Sequence, residues 1–262
     1  MNSKENMAVL QQEERKCPYY TAEQLHALNP ARVPRHVAFI PDGNRRWAKK
    51  RETSAAKGHR EGADILMDIV KAAKALGVKA STFYIFSTEN WTRDAVEVQA
   101  LLWLLESYLI EQCPVMLENE IRFQTIGDLS RFPACVRETV QATKDATAHC
   151  ATMDLVLALN YGARDELRRA FQSMLNDEIW KKETVTEALI SQYLDTVQWP
   201  DPELLIRTSG EQRLSNFLLW QTSYTEVYTT NVLWPDFTPK NLLTAILEFQ
   251  QRERRLGGGR IC

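Results

Sequence analysis

Short apolar runs alternate along this chain with segments of helical periodicity, and that alternation limits the available folds more than any other feature. Residues 37–40, 81–86, 121–126, 153–159 and 204–207 each read as a short strand, and 226–230 is a further β-prone run. Between and after them lie helical segments at 58–76, 98–116, 133–148, 164–175, 185–194 and 239–254. In the first of these, Ala63, Leu66, Ile69, Val70, Ala73 and Leu76 recur at steps of three and four until Gly77 stops the pattern. Strands separated by helices of this length need crossover connections. The expected architecture is therefore a single α/β domain with a central parallel sheet flanked by helices on both faces. With 262 residues, 44% of them apolar, the chain can bury one sizeable core of that kind. Residues 35–262 are expected to form it. Residues 1–34 are polar and read as a mobile extension outside the core, in which Thr21 and Gln24 can form a capping box for a short helix.

Parallel sheets place ligands beyond the carboxyl ends of their strands. The end at residues 40–46 is the richest in chemistry. After the strand come Pro41, Asp42 and Gly43, then Asn44, Arg45 and Arg46 where a helix should begin. Gly43 lets backbone N–H groups approach an anion, the helix start adds positive dipole, and the arginines bring forked donors, which together suit a phosphate. Asp42 would repel that phosphate unless a cation lay between them, so Mg²⁺ is implied. A surface turn leading into a solvated basic helix fits the same local pattern. The basic stretch 49–57 lacks periodicity and reads as a flexible flap or an ordinary solvated loop. A second cradle follows 204–207, where Arg207 and Arg213 flank Ser209-Gly210 and Ser215 adds a hydroxyl near an expected helix start. The segment 98–116 is apolar round much of its circumference, so it is either core or the wall of a greasy cavity.

Composition excludes several functions. A net charge of −2 gives no general attraction to nucleic acid. Five scattered cysteines without CxxC spacing suit free thiols in a reducing cytosol. The first sixteen residues are too polar for a signal peptide, and no apolar run is expected to be long enough to span a bilayer. GxGxxG, GxxxxGK[ST], DDxxD and HExxH are all absent.

Four stretches, HVAFIPDGNRRWA from His36, Gly58-His59, FSTENWTR from Phe86 and RTSGEQRLSNFLLWQ from Arg207, closely resemble the cis-prenyltransferases, bacterial undecaprenyl diphosphate synthases (isoprenyl transferases) above all. The resemblance runs from about His36 to Gly259 in the family's order. It implies the same single-domain parallel sheet with an apolar tunnel, working as a homodimer. It also implies addition of isopentenyl diphosphate to an allylic diphosphate, farnesyl diphosphate by expectation. The implied product is undecaprenyl diphosphate for cell-wall lipid carrier synthesis. A shorter product, or a non-catalytic partner subunit, is the alternative. By the same resemblance Asp42 is catalytic and binds Mg²⁺ with Glu226. Asn90 stands on the proton-accepting side, where a neutral amide can only orient a water or phosphate oxygen. Gly43, Asn44, Arg45, Arg46, Trp47 and His59 hold the allylic substrate. Ser87, Thr88, Glu89, Trp91 and Arg93 position substrate, and Arg207, Arg213, Leu214 and Ser215 bind isopentenyl diphosphate. On spacing alone, His59 reads as a solvated helix-start histidine and Glu226 as an exposed strand residue. Arg255-Leu256-Gly257 resembles the family's RxG ending, which reaches the neighbouring subunit's diphosphate site. The implied location is cytoplasmic, or peripheral at the inner membrane face through the lipid product. Three positions depart from the pattern: Arg45 where bacterial members often carry Gly, Ala55 where many carry a basic residue, and Gln212 where His is frequent.

Overall fold

A computed structural model describes residues 18–182 and 184–254. Six strands, β1 (His36–Ile40), β2 (Ala80–Ser87), β3 (Ile121–Ile126), β4 (Met153–Tyr161), β5 (Leu204–Arg207) and β6 (Glu226–Thr229), form one sheet in the order β3-β4-β2-β1-β5-β6. Every pairing is parallel. β1 therefore lies between β2 and β5, with Phe39 level with Phe83 and Ile40 level with Arg207. The loops after these three neighbouring strands open together at the carboxyl end of the sheet.

The two faces are divided by the pleat, since successive side chains point to opposite sides. Val37, Phe39, Leu204 and Ile206 face a large core, while Ala38, Ile40 and Leu205 face a smaller one built with Tyr161, Phe217 and Leu218. The helices are α1 (Ala22–His26), α2 (Asn44–Lys50), α3 (Ala55–Asp64), α4 (Leu66–Ala75), α5 (Ala95–Glu118), α6 (Ala134–Thr147), α7 (Ala163–Asn176), α8 (Ile179–Lys182), α9 (Glu187–Gln192) and α10 (Pro239–Gln251). The large core takes the apolar stripes of α4, α5, α6 and α10, and Ala163 of α7 joins the smaller one. A sheet with helices on both sides is the expected fold.

Several local expectations need correction. The helix expected over 58–76 begins at Ala55, capped by the Ser54 hydroxyl, and divides at Ile65 into α3 and α4. The stretch 49–57 is no continuous loop, because α2 runs to Lys50 and α3 starts four residues after Arg51. In the part of the amino-terminal extension that is described, the Thr21–Gln24 capping box forms, but Tyr20 is buried in the large core. Asn29 exchanges hydrogen bonds with Gln250 of α10, so this segment is tied to the body of the domain. α5 is long and apolar enough to cross a membrane by length and composition. Its Val98, Leu102, Leu105, Tyr108, Leu109 and Met116 are buried in the large core, while Val96, Trp103 and Ile110 are exposed, so burial accounts for only part of that composition.

Candidate active site

The turn after β1 is fixed by its backbone. The N–H of Asp42 donates to Thr208 Oγ1 at 2.8 Å, Thr208 Oγ1 donates back to the Asp42 carbonyl at 2.6 Å, and the Trp234 N–H donates to that carbonyl at 3.0 Å. Gly43 then turns at φ +112, where a Cβ would also lie 2.9 Å from Leu233, so only glycine fits before α2. Gly58 serves a different purpose. A Cβ there would sit 2.3 Å from the Asn44 carbonyl, so its absence lets α3 pack on α2 and brings His59 to Asn44.

These elements meet in a cavity of about 480 Å³ at the carboxyl ends of β1, β2 and β5. Its polar wall includes Asp42, Gly43, Asn44, Arg45, Arg46, His59, Ser87, Asn90, Arg93, Arg207 and Ser215, so the three loops singled out in the sequence converge. Four arginines and one aspartate line it, with Arg207 and Arg46 the two that approach Asp42. Its other wall is hydrocarbon, with Leu66, Ile85, Phe86, Leu101, Leu104 and Leu105.

Arg207 is 4% exposed as a side chain, and its Nη2 donates to Asp42 Oδ2 at 3.0 Å while Nη1 donates to Ser215 Oγ at 2.8 Å and to the Arg213 carbonyl. Its buried Nε has no partner. Arg46 donates to the Ser209 carbonyl at 2.9 Å and to the Ser209 hydroxyl, and lies 3.5 Å from Asp42 and 3.2 Å from Glu211. The loop after β5 holds Ser209, Ser215, Asn216 and Leu218 at positive φ. That is the sparsely populated conformation that clusters at ligand-binding sites. No helix starts at Ser215, contrary to the sequence reading; a series of turns follows it instead.

The loop after β2 is a 3₁₀ turn, Thr88–Thr92, closed by the Ser87 N–H donating to Asn90 Oδ1 at 3.1 Å. With its oxygen engaged, Asn90 has its Nδ2 hydrogens to spare, which makes it a donor toward the cavity. Glu89 accepts from Asn216 at 3.0 Å, joining the β2 and β5 loops. Burial works to raise the Glu89 carboxyl, but hydrogen bonds led by that from Asn216 hold it below the usual range. Thr88 donates to Glu89 at 3.2 Å.

Around His59, Asn44 Nδ2 donates to Nδ1 at 3.3 Å, which leaves the ring proton of the neutral form on Nε2. Burial, then the nearby Arg93, pushes His59 down to about 4, so the ring is neutral near pH 7. Glu97, which the sequence reading passed over, lies beside it and accepts from both Arg45 and Arg93. The i,i+4 spacing of Arg93 and Glu97 at the start of an apolar helix was its only sequence signal.

Besides Thr88 and Glu89, which brace the loop without lining the cavity, five assigned residues lie elsewhere. Trp47 points into a small cluster with Ala48 and Leu233 and donates from Nε1 to Asp236 at 2.8 Å. Trp91 packs edge-on against Phe86 and Phe132 and donates to Asn160 at 2.8 Å. Leu214 packs on the smaller core, and Arg213 is largely exposed and paired with Glu211. Glu226 opens β6 level with Leu204, at the opposite end of the ladder from Arg207, and pairs with Arg252 at 3.1 Å. Three strand residues, roughly 10 Å at the usual rise, and two strand spacings separate it from the Asp42 turn. One chain therefore does not bring these two carboxylates together. Among the described residues, no three His, Cys, Asp or Glu side chains gather closely enough to hold a metal ion. Asp42 remains as a single carboxylate at the cavity mouth. That suits Mg²⁺ delivered with a diphosphate, since this ion is commonly held by one or two carboxylates together with substrate phosphates. Arg255-Leu256-Gly257 lies outside the described residues.

Comparison with known proteins gives concordant results. Residues 40–257 match the family described as "Putative undecaprenyl diphosphate synthase". The isoprenyl transferase of Chlamydia trachomatis serovar D is 50% identical over 232 residues, 86% of this chain and 92% of that protein. That of Bacillus anthracis is 46% identical over 229 residues, 86% and 89% of the two chains. Lavandulyl diphosphate synthase from Lavandula x intermedia, solved in complex with dimethylallyl diphosphate, superposes with a TM-score of 0.83 at 35% identity, over 87% of this chain and 99% of that one. A Campylobacter jejuni protein described as a probable undecaprenyl diphosphate synthase gives 0.73 at 34% identity, over 86% and 98%.

Proposed function

The chain belongs to the undecaprenyl diphosphate synthase family of cis-prenyltransferases, and from that premise we propose that it extends farnesyl diphosphate with isopentenyl diphosphate to a long-chain polyprenyl diphosphate, undecaprenyl diphosphate for a cell-wall lipid carrier. One observation carries the reading: a single cavity joins four guanidiniums and one carboxylate to a hydrocarbon wall. That pairing suits a ligand with a diphosphate head and an isoprenoid tail.

In each cycle the C1–O bond to the allylic diphosphate breaks, C4 of isopentenyl diphosphate bonds to C1, and a proton leaves C2 for a diphosphate oxygen. Gly43, Arg45, Arg46 and His59 hold the leaving diphosphate, and Asp42 engages it through a cation. Arg207 and Ser215 hold the second one from the cavity wall, Arg213 leaves Glu211 on the exposed part of the same loop to join them, and the Asn90 amide N–H orients the oxygen that takes the proton. Mg²⁺ held by Asp42 would neutralise charge on the leaving group. Glu226 could complete that shell only from a second copy of the chain.

A homodimer is part of the proposal. Seven exposed large apolar side chains fall between Phe171 and Val227, and β6 is an edge strand carrying Val227. Val96, Trp103 and Ile110, exposed at seven-residue steps on α5, offer an apolar face for a cytoplasmic enzyme resting on the inner membrane surface. The likeness to lavandulyl diphosphate synthase keeps a shorter product as the second reading.

Incubation with farnesyl diphosphate, isopentenyl diphosphate and Mg²⁺, with and without chelator, tests the reading when products are resolved by chromatography. A C55 product lost on chelation is expected. A short product would favour the second reading, and no elongation at all would overturn both.

A further inference from the structure

The arginines of the cavity fall into two kinds. Arg207 is almost wholly buried and held by three acceptors from its own loop and the Asp42 turn. Arg45 is 54% exposed and pairs with Glu97, whose two carboxylate oxygens both accept from the same Nη2. Glu97 lies on the first turn of α5 and also accepts from Arg93 Nη1 at 3.1 Å. Its Oε1 stands 3.9 Å from His59 Nε2, a buried nitrogen without a hydrogen-bond partner. Three donors from three segments, α2, the end of the 3₁₀ turn before α5, and α3, thus point at one anion position, and a side chain of this protein occupies it.

We propose that Glu97 is a built-in competitor for that position: its carboxylate holds the Arg45 and Arg93 guanidiniums that a diphosphate needs, so ligand binding exchanges one ion pair for another. The proposal rests on reading the cavity as a diphosphate site. Exposure makes the exchange feasible. An ion pair this accessible to water contributes little stability, whereas a pair such as Asp42–Arg207 is far harder to part. A diphosphate brings more charge than one carboxylate and can bond several donors at once. The hydrogen bond from Arg45 holds the Glu97 carboxyl below its ordinary range, so the competitor stays ionised at neutral pH. Its value to the reaction lies in release. A site that hands its arginines back to Glu97 lets the spent diphosphate go before the next unit arrives. Glu97 is a positioning residue in this account, acting through Arg45 and Arg93.

Calorimetric titration of the full chain with inorganic pyrophosphate and Mg²⁺ tests it directly. Glu97→Gln keeps the size and removes the charge, at a partly exposed helix position where folding should survive. It should bind pyrophosphate about fivefold tighter, equivalent to roughly 1 kcal/mol. In steady state it should lower both KM for the allylic diphosphate and kcat, the split that slowed release produces. Glu97→Asp, which keeps the charge, should stay within about twofold of wild type on both measures. Wild-type or weaker pyrophosphate affinity in Glu97→Gln would overturn the proposal and leave Glu97 a strut. Arg45→Ala should weaken pyrophosphate binding. If its affinity is unchanged, the diphosphate reading of this part of the cavity falls, and the exchange with it.

Discussion

Arg207 Nη2 lies 3.0 Å from Asp42 Oδ2, although the two residues are 165 positions apart. The resemblance divides them between two substrates, yet here they form one contact at the shared wall of the cavity. A change at either must therefore be felt by both halves of the site.

Asp42→Ala should reduce turnover by at least a hundredfold, about 2.7 kcal/mol of barrier. Because Arg207 is buried and loses its charged acceptor, the variant should also lose about 1–3 kcal/mol of stability. Steady-state kinetics beside a thermal melt measure both. Near-normal turnover with Mg²⁺ would remove Asp42 from the mechanism.

Arg213→Ala should raise the half-saturating concentration of isopentenyl diphosphate about tenfold, as loss of one charged hydrogen-bond partner implies. The effect on farnesyl diphosphate should be smaller, because Arg213 sits on the β5 loop away from Arg45 and His59. Equal effects would mean the two loops are assigned to the wrong substrates.

The leucines of α5 should behave as two classes. Leu101, Leu104 and Leu105 line the cavity, whereas Leu102 and Leu109 are core residues outside its lining. Leu101→Trp or Leu104→Trp should shorten the product while sparing the first condensation. Leu109→Ala should leave product length alone and cost about 2–5 kcal/mol of stability. Product chromatography decides; unchanged length in both Trp variants would make this helix plain core.

His59 gives the protein a pH dependence of known sign. Its folded value of about 4 lies below the ordinary 6.5, so between these the unfolded chain takes up a proton that the folded one does not. The stabilising contribution is complete above pH 6.5 and is lost as pH falls toward 4, up to about 3 kcal/mol at 1.36 kcal/mol per pH unit. Melting temperatures from pH 7 to 4.5 should fall less steeply for His59→Asn than for wild type. Parallel curves would count against a buried neutral ring.

The parts of this protein most legible in sequence are those set by short-range rules. Each strand is found within two residues at either end, because the apolar runs are bounded by turn residues. The three ligand loops were found because parallel strands put their carboxyl ends together. Failures arise where a distant contact overrides the local pattern. The division at Ile65 leaves no trace in the apolar spacing, and Tyr20 joins the core by a contact that a polar stretch conceals. Trp47 and Trp91 stand inside site motifs, but indole hydrogen bonds to Asp236 and Asn160 turn them into supports for the loops that carry them. Glu97 needed the fold to place α2, α3 and α5 side by side before its two arginines could be seen to share it.

The position of β1 has a consequence for the chain while it is being made. Its partner on one side, β2, follows within forty residues, but its partner on the other, β5, begins only at Leu204. At synthesis rates of about 5–20 residues per second, the apolar edge of β1 waits on the order of ten to thirty seconds for that neighbour. Over that interval Val37 and Phe39 lack part of the cover they have in the finished core, and the Asp42 turn lacks Thr208 and Arg207 to hold it. The nascent chain should therefore depend on chaperone shielding of its first strand, and a release of translation before Arg207 should yield an aggregation-prone fragment rather than a weak enzyme.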